Sequence, residues 1–200
     1  MTAPTQPAPA IALRGDVAIP QLGFGTWQVP ADDAAAVVGH ALRTGYRHVD
    51  TAAAYRNERG VGEALRASGV PRGDVFVTTK VWNGDHGYDQ ATAAAKASLE
   101  RLGLDHVDLL LIHWPVPSRD RYVDTWRALI DLQAAGLTRA IGVSNFHEEH
   151  LRRIIDETGV TPAVNQIEVH PYLQQRELRA VNGELGIVTE AWSPLAQGKL

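Results

Sequence analysis

Tyr46-Arg47-His48-Val49-Asp50-Thr51-Ala52-Ala53-Ala54-Tyr55 begins as a short strand, with Val49 as its buried side chain, and then delivers a carboxylate and a phenol. An aspartate at the end of a buried strand costs free energy unless it is paired or used in chemistry. The three alanines between Asp50 and Tyr55 leave room for another molecule to approach. Just upstream, Pro30 and Asp32 open a helix with Ala34, Val37, Val38, Ala41 and Leu42 at i, i+3, i+4, i+7 and i+8, one helical face. Gly45 closes it, as a glycine after a helix often does.

The same unit repeats outward. Downstream, strands are predicted at 75–81, 107–112, 140–143, 163–168 and 187–191, and helices near 58–68, 89–102, 121–135, 148–157 and 175–183. Upstream, a strand is predicted at 22–27, preceded by a hairpin of 11–13 and 17–19 about Arg14-Gly15-Asp16. Alternating helices and nearly uninterrupted apolar strands mean a parallel sheet covered by helices. The regular spacing favours an α/β fold of the (β/α)8 TIM-barrel type over a doubly wound sheet. Such a barrel needs eight strands; seven are present and the eighth is missing, leaving two open edges. The expected organisation is a disordered tail over 1–10 and one barrel domain, C-terminally incomplete, over 11–200.

Composition excludes several functions. A net charge of −4 offers no basic footprint for nucleic acid or an acidic membrane. The absence of cysteine removes disulfides, thiolate metal sites and cysteine nucleophiles, and fits a reducing, cytoplasmic setting. The first ten residues lack the basic start and apolar run of a signal peptide. No stretch approaches the roughly 18 apolar residues of a membrane span.

In a barrel of this kind the reactive groups gather at the carboxyl ends of the strands. Those ends read Thr26-Trp27, Asp50 with Tyr55 beyond, Lys80-Val81-Trp82, His113-Trp114-Pro115, Ser144-Asn145, Asn165-Gln166 through Glu168, and Trp192-Ser193. A phenol with pKa near ~10 is a sluggish acid at neutral pH, and a neighbouring ammonium lowers it. Lys80 can act so on Tyr55, with Asp50 holding Lys80 charged and His113 donating to a substrate oxygen. Singly, each residue has a duller reading: Asp50 as a turn cap, Lys80 as a surface lysine, His113 as a core histidine, Ser144-Asn145 as a helix cap, the tryptophans as a plug. Their convergence on one barrel mouth argues for function.

Seven motifs in order carry a resemblance: Gly23-Phe24-Gly25-Thr26-Trp27; Asp50-Thr51-Ala52 with Tyr55; Thr79-Lys80; Leu111-Ile112-His113-Trp114-Pro115; Gly142-Val143-Ser144-Asn145-Phe146; Asn165-Gln166-Ile167-Glu168-Val169-His170-Pro171; and Trp192-Ser193-Pro194-Leu195. The chain resembles aldo-keto reductases over 11–200, and most nearly their bacterial branch of diketogluconate and small α-dicarbonyl reductases. The resemblance implies a (β/α)8 barrel that reduces aldehydes and ketones with NADPH, with Asp50, Tyr55, Lys80 and His113 as catalytic residues. For the cofactor it implies Thr26, Trp27, Asp50, Ser144, Asn145 and Gln166, with Trp192 stacked on the nicotinamide where many members carry tyrosine. Ser193, Pro194, Leu195 and Gln197 would wrap the pyrophosphate. Trp27, Trp82 and Trp114, with Tyr55 and His113, would wall the substrate cleft. The basic residues that grip an adenosine 2′-phosphate in relatives have no counterpart in this sequence. A monomer is expected, with a small-molecule carbonyl substrate and no nucleic-acid or membrane partner. The alternative is a nicotinamide-sensing regulatory subunit built on the same barrel.

Two look-alike motifs fail. Gly23-Phe24-Gly25 has Gln28 where a dinucleotide fingerprint needs its third glycine. His147-Glu148-Glu149-His150 spaces its histidines by three where a zinc helix needs four, so no metal site is expected and the first turn of an exposed helix is. Glu168 and His170 are read as strand-end packing and hydrogen bonding.

Overall fold

The computed structural model describes residues 8–199. A hairpin comes first, β1 (Ala10–Ala12) against β2 (Ala18–Pro20), with Ile11 opposite Ile19. Its turn passes through Gly15 and Asp16, both with positive φ. The expected tail falls largely at residues 1–7, outside the described residues, and Ala10 already belongs to β1. Leu13, Val17 and Ile19 are buried against Phe76, Leu109 and Leu111 and so cover one end of the sheet. Arg14 ties the hairpin down by donating to the carbonyls of Leu185 and Gly186.

Strand and helix then alternate as the pattern predicts: β3 (Phe24–Gly25), α1 (Ala34–Arg43), β4 (His48–Asp50), α2 (Glu58–Ala67), β5 (Phe76–Val81), α3 (Tyr88–Leu102), β6 (Val107–Ile112), α4 (Tyr122–Ala134), β7 (Thr138–Ser144), α5 (Glu148–Thr158), β8 (Val164–Glu168), α6 (Arg176–Glu184) and β9 (Val188–Trp192). Every neighbour pair from β3 to β9 is parallel, and sheet order equals chain order. This is the topology of a (β/α)8 barrel, seven of whose strands lie among the described residues, with β3 and β9 at the two edges. β3 is shorter than predicted. It pairs on one side only, through Phe24 and Gly25, and Leu22 is left exposed.

β5 and β6 are buried along all six residues because helices cover one face and the barrel interior the other. Alternation divides the core accordingly. Val49, Val77, Leu110, Ile112, Ile141 and Val143 pack outward against the helices. Phe76, Leu109, Leu111, Ala140 and Val164 pack inward with the hairpin.

The helical layer is close-packed at Gly62 in α2, where a Cβ would lie 2.0 Å from the carbonyl oxygen of Leu102 at the end of α3. Backbone cannot yield as a flexible side chain can. Gly62→Ala is therefore expected to destabilise the fold by about 1–3 kcal/mol, at least the usual cost of overpacking. Urea unfolding reads this directly, and an unchanged midpoint would contradict so close an approach.

Candidate active site

β4 turns His48 and Asp50 to one face and Val49 to the other. Asp50 Oδ1 accepts from Lys80 Nζ at 2.5 Å, and Oδ2 accepts from Gln166 Nε2 at 2.8 Å. Lys80 Nζ also donates to the Thr51 carbonyl at 3.0 Å. The Lys80 side chain is 1% exposed and that of Asp50 13%. Burial pulls the Lys80 pKa down, but Asp50 at contact distance, helped by Tyr55 and Glu190, more than restores it, so the net direction is up and the ammonium is kept.

Tyr55 stands on a single 3-10 turn, Ala53–Tyr55, directly beyond β4. The Lys80 ammonium lies 5.3 Å from the centre of its ring. The His113 ring meets it edge-on at 5.7 Å, and Trp82 meets His113 in turn at 5.1 Å. The four predicted residues thus meet at one place. The expected electrostatic balance needs correcting, however. Burial pushes the Tyr55 phenol up, the Lys80 charge pulls it down without overcoming burial, and Asp50 adds to the rise. In the protein alone, desolvation wins.

Burial, reinforced by the Lys80 charge, pushes His113 down to about 4, so the imidazole is neutral at pH 7. Its Nδ1 is buried with no partner among the described residues, and Nε2 is not one of the enclosed, unpaired atoms. An orphaned buried N–H is rarer than an orphaned acceptor, so the proton belongs on Nε2, where it can be donated into the cleft.

A cleft of about 1490 Å3 is lined by Asp50, Tyr55 and His113, with Lys80 buried behind them, and runs along the edges of β3 and β9. Trp27, Trp82 and Trp114 stand in its wall at 50%, 39% and 41% exposure. Ser144, Asn145, Gln166, Trp192, Ser193, Pro194 and Gln197 also line it. Two predicted cofactor residues do not. Thr26 is fully buried, with its hydroxyl on Asn57 and its backbone N–H on the Asp50 carbonyl. Leu195 is 69% exposed and lies outside the lining.

The polar trio is spent partly on itself. Ser144 Oγ donates to the Gln166 carbonyl, and Asn145 Nδ2 donates to Ser144 Oγ and to the His113 carbonyl. Asn145 Oδ1 accepts from the Trp192 indole N–H at 2.9 Å, which fixes the plane of that ring. Asn145 therefore serves as a junction and has a left-handed backbone, φ 63°, in place of a plain helix cap. Ser193, Ala196 and Gln197 are also left-handed, a strained conformation for non-glycine residues that concentrates at ligand sites. A pinned indole face, amide and hydroxyl groups, and a loop of this kind fit the flat ring and linked phosphates of a nicotinamide dinucleotide.

Beneath Asp50 lie two groups the sequence did not single out. His48 Nε2 is 3.0 Å from Thr78 Oγ1 and 3.9 Å from Glu190 Oε1. Burial, with Asp50 nearby, pushes Glu190 up to about 7. One atom from each of His48, Asp50 and Glu190 lies within 4.8 Å of the others, a spacing that suits a shared cation. Both Asp50 oxygens are already taken, one by an ammonium that would repel the ion. His147 and His150 are accounted for without metal, as the capping box that opens α5. His170 Nε2 lies 3.2 Å from Glu168 Oε1, the strand-end hydrogen bond expected of that pair.

His48, His86 and His113 are each pushed down to about 4, chiefly by burial. The unfolded chain binds these protons below its ordinary pKa of about 6.5, and the folded chain does not. Their contribution is present above pH 6.5 and is lost as pH falls towards 4. For His48, 2% exposed, the loss is about 3 kcal/mol. Urea midpoints should fall steadily from pH 7 to pH 4.5; a flat profile would contradict neutral burial.

Asn57 and Glu58 were also passed over, and both are 1% exposed. Asn57 links the segments after β3 and β4, and Glu58 binds Thr79 and Arg101. The only signal in the sequence is a polar pair directly before the apolar face of α2, which equally suits an ordinary helix start.

A barrel with a buried Asp–Lys pair, a phenol and a neutral imidazole at its cleft brings together the kinds of group that acid–base chemistry uses. The family model for the aldo/keto reductase family matches residues 21–200. An aldo-keto reductase of Mycolicibacterium smegmatis is 58% identical over 193 residues, covering 96% of this chain and 70% of its own. The methylglyoxal reductase DkgA of Escherichia coli is 52% identical over 188 residues, covering 94% and 68%. The crystal structure of a Bombyx mori aldo-keto reductase in complex with NADP superposes with a TM-score of 0.88 at 39% identity, covering 94% and 67%. The chain belongs to the aldo/keto reductase family.

Proposed function

We propose that the protein reduces an aldehyde or ketone to the corresponding alcohol with NADPH, Tyr55 giving the proton. The Lys80 ammonium, held by Asp50 and lying 5.3 Å from the Tyr55 ring centre, carries this reading. When bound, the reduced nicotinamide supplies a hydride to the carbonyl carbon. The carbonyl oxygen then gains negative charge and takes the proton of the Tyr55 hydroxyl. The phenolate left behind is stabilised by Lys80, and the phenol is restored by a proton from solvent. Neutral His113 donates from Nε2 to the carbonyl oxygen and orients it. Trp27, Trp82 and Trp114 exclude water and hold the substrate between aromatic faces.

Ser144, Asn145 and Gln166 would hold the carboxamide of the cofactor, Trp192 its ring, and Ser193, Pro194 and Gln197 its phosphates. The choice of NADPH draws on the Bombyx mori relative, whose structure contains NADP. The name of the Escherichia coli relative points to small α-dicarbonyls as the first substrates to try. We take the enzyme to act as a cytoplasmic monomer. The test is loss of NADPH absorbance with a panel of aldehydes, keto sugars and α-dicarbonyls, run in parallel with NADH. Saturable oxidation that depends on the carbonyl supports the reading, and no turnover with any member contradicts it.

A further inference from the structure

Asn57 and Glu58 lie directly behind the Ala53–Tyr55 turn. A side-chain amide offers two donors and two acceptor positions, and Asn57 uses all four. Nδ2 donates to the carbonyls of Thr26 at 2.8 Å and Val29 at 3.1 Å. Oδ1 accepts from the hydroxyls of Thr51 at 2.9 Å and Thr26 at 3.4 Å. A buried network satisfied in full specifies one arrangement of the chain around it. Here it joins the segment leaving β3, which carries Trp27, to the segment leaving β4, which carries Tyr55.

The network continues to Lys80 by two routes. Thr51 gives its hydroxyl to Asn57 while its carbonyl accepts from Lys80 Nζ at 3.0 Å. Thr79, next to Lys80 on β5, points the opposite way and donates to Glu58 Oε1 at 2.6 Å. The other Glu58 oxygen accepts from Arg101 Nε of α3 at 2.6 Å, which anchors the carboxylate. One residue, Arg56, separates Tyr55 from this pair, and its backbone is left-handed at φ 58°. That residue gives up backbone comfort to join the phenol to the clamp.

We propose that Asn57 and Glu58 are positioning residues for proton transfer, fixing the separation between the Tyr55 phenol and the Lys80 ammonium. The inference rests on the reductase reading above. Neither residue touches the reacting atoms. Asn57 sets the turn that carries the phenol and the Thr51 carbonyl that receives Lys80, and Glu58 grips the strand that carries Lys80.

The experiment compares Asn57→Ala, Thr51→Val, Thr79→Val, Glu58→Gln and Glu58→Ala with the unaltered protein. Thr79→Val keeps the shape, leaves the Glu58–Arg101 pair intact and decides the Glu58 arm; Thr51→Val, which likewise keeps its shape and removes the hydroxyl given to Asn57, decides the other arm if Asn57→Ala does not fold. Two readouts are taken: ionisation of Tyr55, from phenolate absorbance after subtraction of Tyr55→Phe, and kcat, KM and NADPH affinity with methylglyoxal. With the ammonium held less closely, the Tyr55 pKa should rise. Misplacement on the ångström scale should lower kcat about 10- to 100-fold, with NADPH affinity changed by no more than about twofold. Glu58→Gln retains an acceptor for Thr79 and should keep more activity than Glu58→Ala. A merely structural role would lower the unfolding midpoint and leave the phenol's ionisation where it was. Folded variants with unaltered Tyr55 ionisation and kcat overturn the proposal. If the unaltered protein reduces no carbonyl yet the phenol still shifts, the functional reading falls and the positioning role stands; if it reduces carbonyls and every variant matches it, only the positioning role falls.

Discussion

Tyr55→Phe is expected to lower kcat for carbonyl reduction by about 10²- to 10⁴-fold, the usual contribution of a positioned general acid. The substitution removes one oxygen and keeps the ring that packs edge-on against His113. Tyr55 makes no hydrogen bond within the Ser144, Asn145 and Gln166 cluster assigned to the nicotinamide, so NADPH affinity should be nearly unchanged. The effect should fall on kcat, because the proton is needed only as the alkoxide forms. Steady-state rates and a fluorescence titration of NADPH separate the two quantities. Turnover close to that of the unaltered protein would remove Tyr55 from the mechanism.

Lys80→Met should have the next largest effect, and it should act twice. Lys80 is the one cause acting to lower the phenol's pKa, against burial and Asp50. Without it the phenol rises further, becomes a poorer acid, and leaves a phenolate with nothing to stabilise it. kcat should fall by at least about 10²-fold, and the ionisation of Tyr55 should move to higher pH. The second effect is on the fold. Asp50 stays behind at 13% exposure with Gln166 as its one remaining side-chain partner among the described residues, and breaking such a pair costs about 3–5 kcal/mol. Removing both charges, in Asp50→Asn with Lys80→Met, should recover much of the stability and none of the rate. Urea unfolding beside kinetics tests this pattern. A stable single variant with an unaltered pH–rate profile would show that Lys80 does neither job.

The barrel could be read because the central strands are apolar over most of both faces and each helix on one. Val107-Asp108-Leu109-Leu110-Leu111-Ile112 declares a buried parallel strand at its predicted bounds, even with Asp108 inside it. That carboxylate is tolerated because Arg72 and Arg139 reach it from other elements, and no local pattern reveals such a contact. β3 was overextended for the same kind of reason: how many neighbours a strand has is a property of the sheet.

Asp50, Tyr55, Lys80 and His113 were legible as chemical types placed at strand ends, and the fold rule that gathers strand ends did the rest. The balance of fields was not legible. Whether Lys80 or burial decides the phenol's pKa depends on how much water the surrounding chain removes, and the sequence named only the lysine. Nor was the second layer. Asn57 owes its role to Thr26 and Val29, about thirty positions away, and Glu58 owes its role to Arg101. Thr26 is the converse case. The resemblance implied a cofactor contact, yet among the described residues every polar group it has is bonded to Asn57, Asp50 or Val29.

The most direct test of the account is a crystal structure with NADP+ and a carboxylate that mimics the substrate carbonyl. The account predicts one ligand oxygen within about 2.6–3.2 Å of both the Tyr55 hydroxyl and His113 Nε2, with Lys80 still joined to Asp50 behind the phenol. A ligand oxygen held elsewhere, out of reach of both groups while the cofactor is seated, would contradict it.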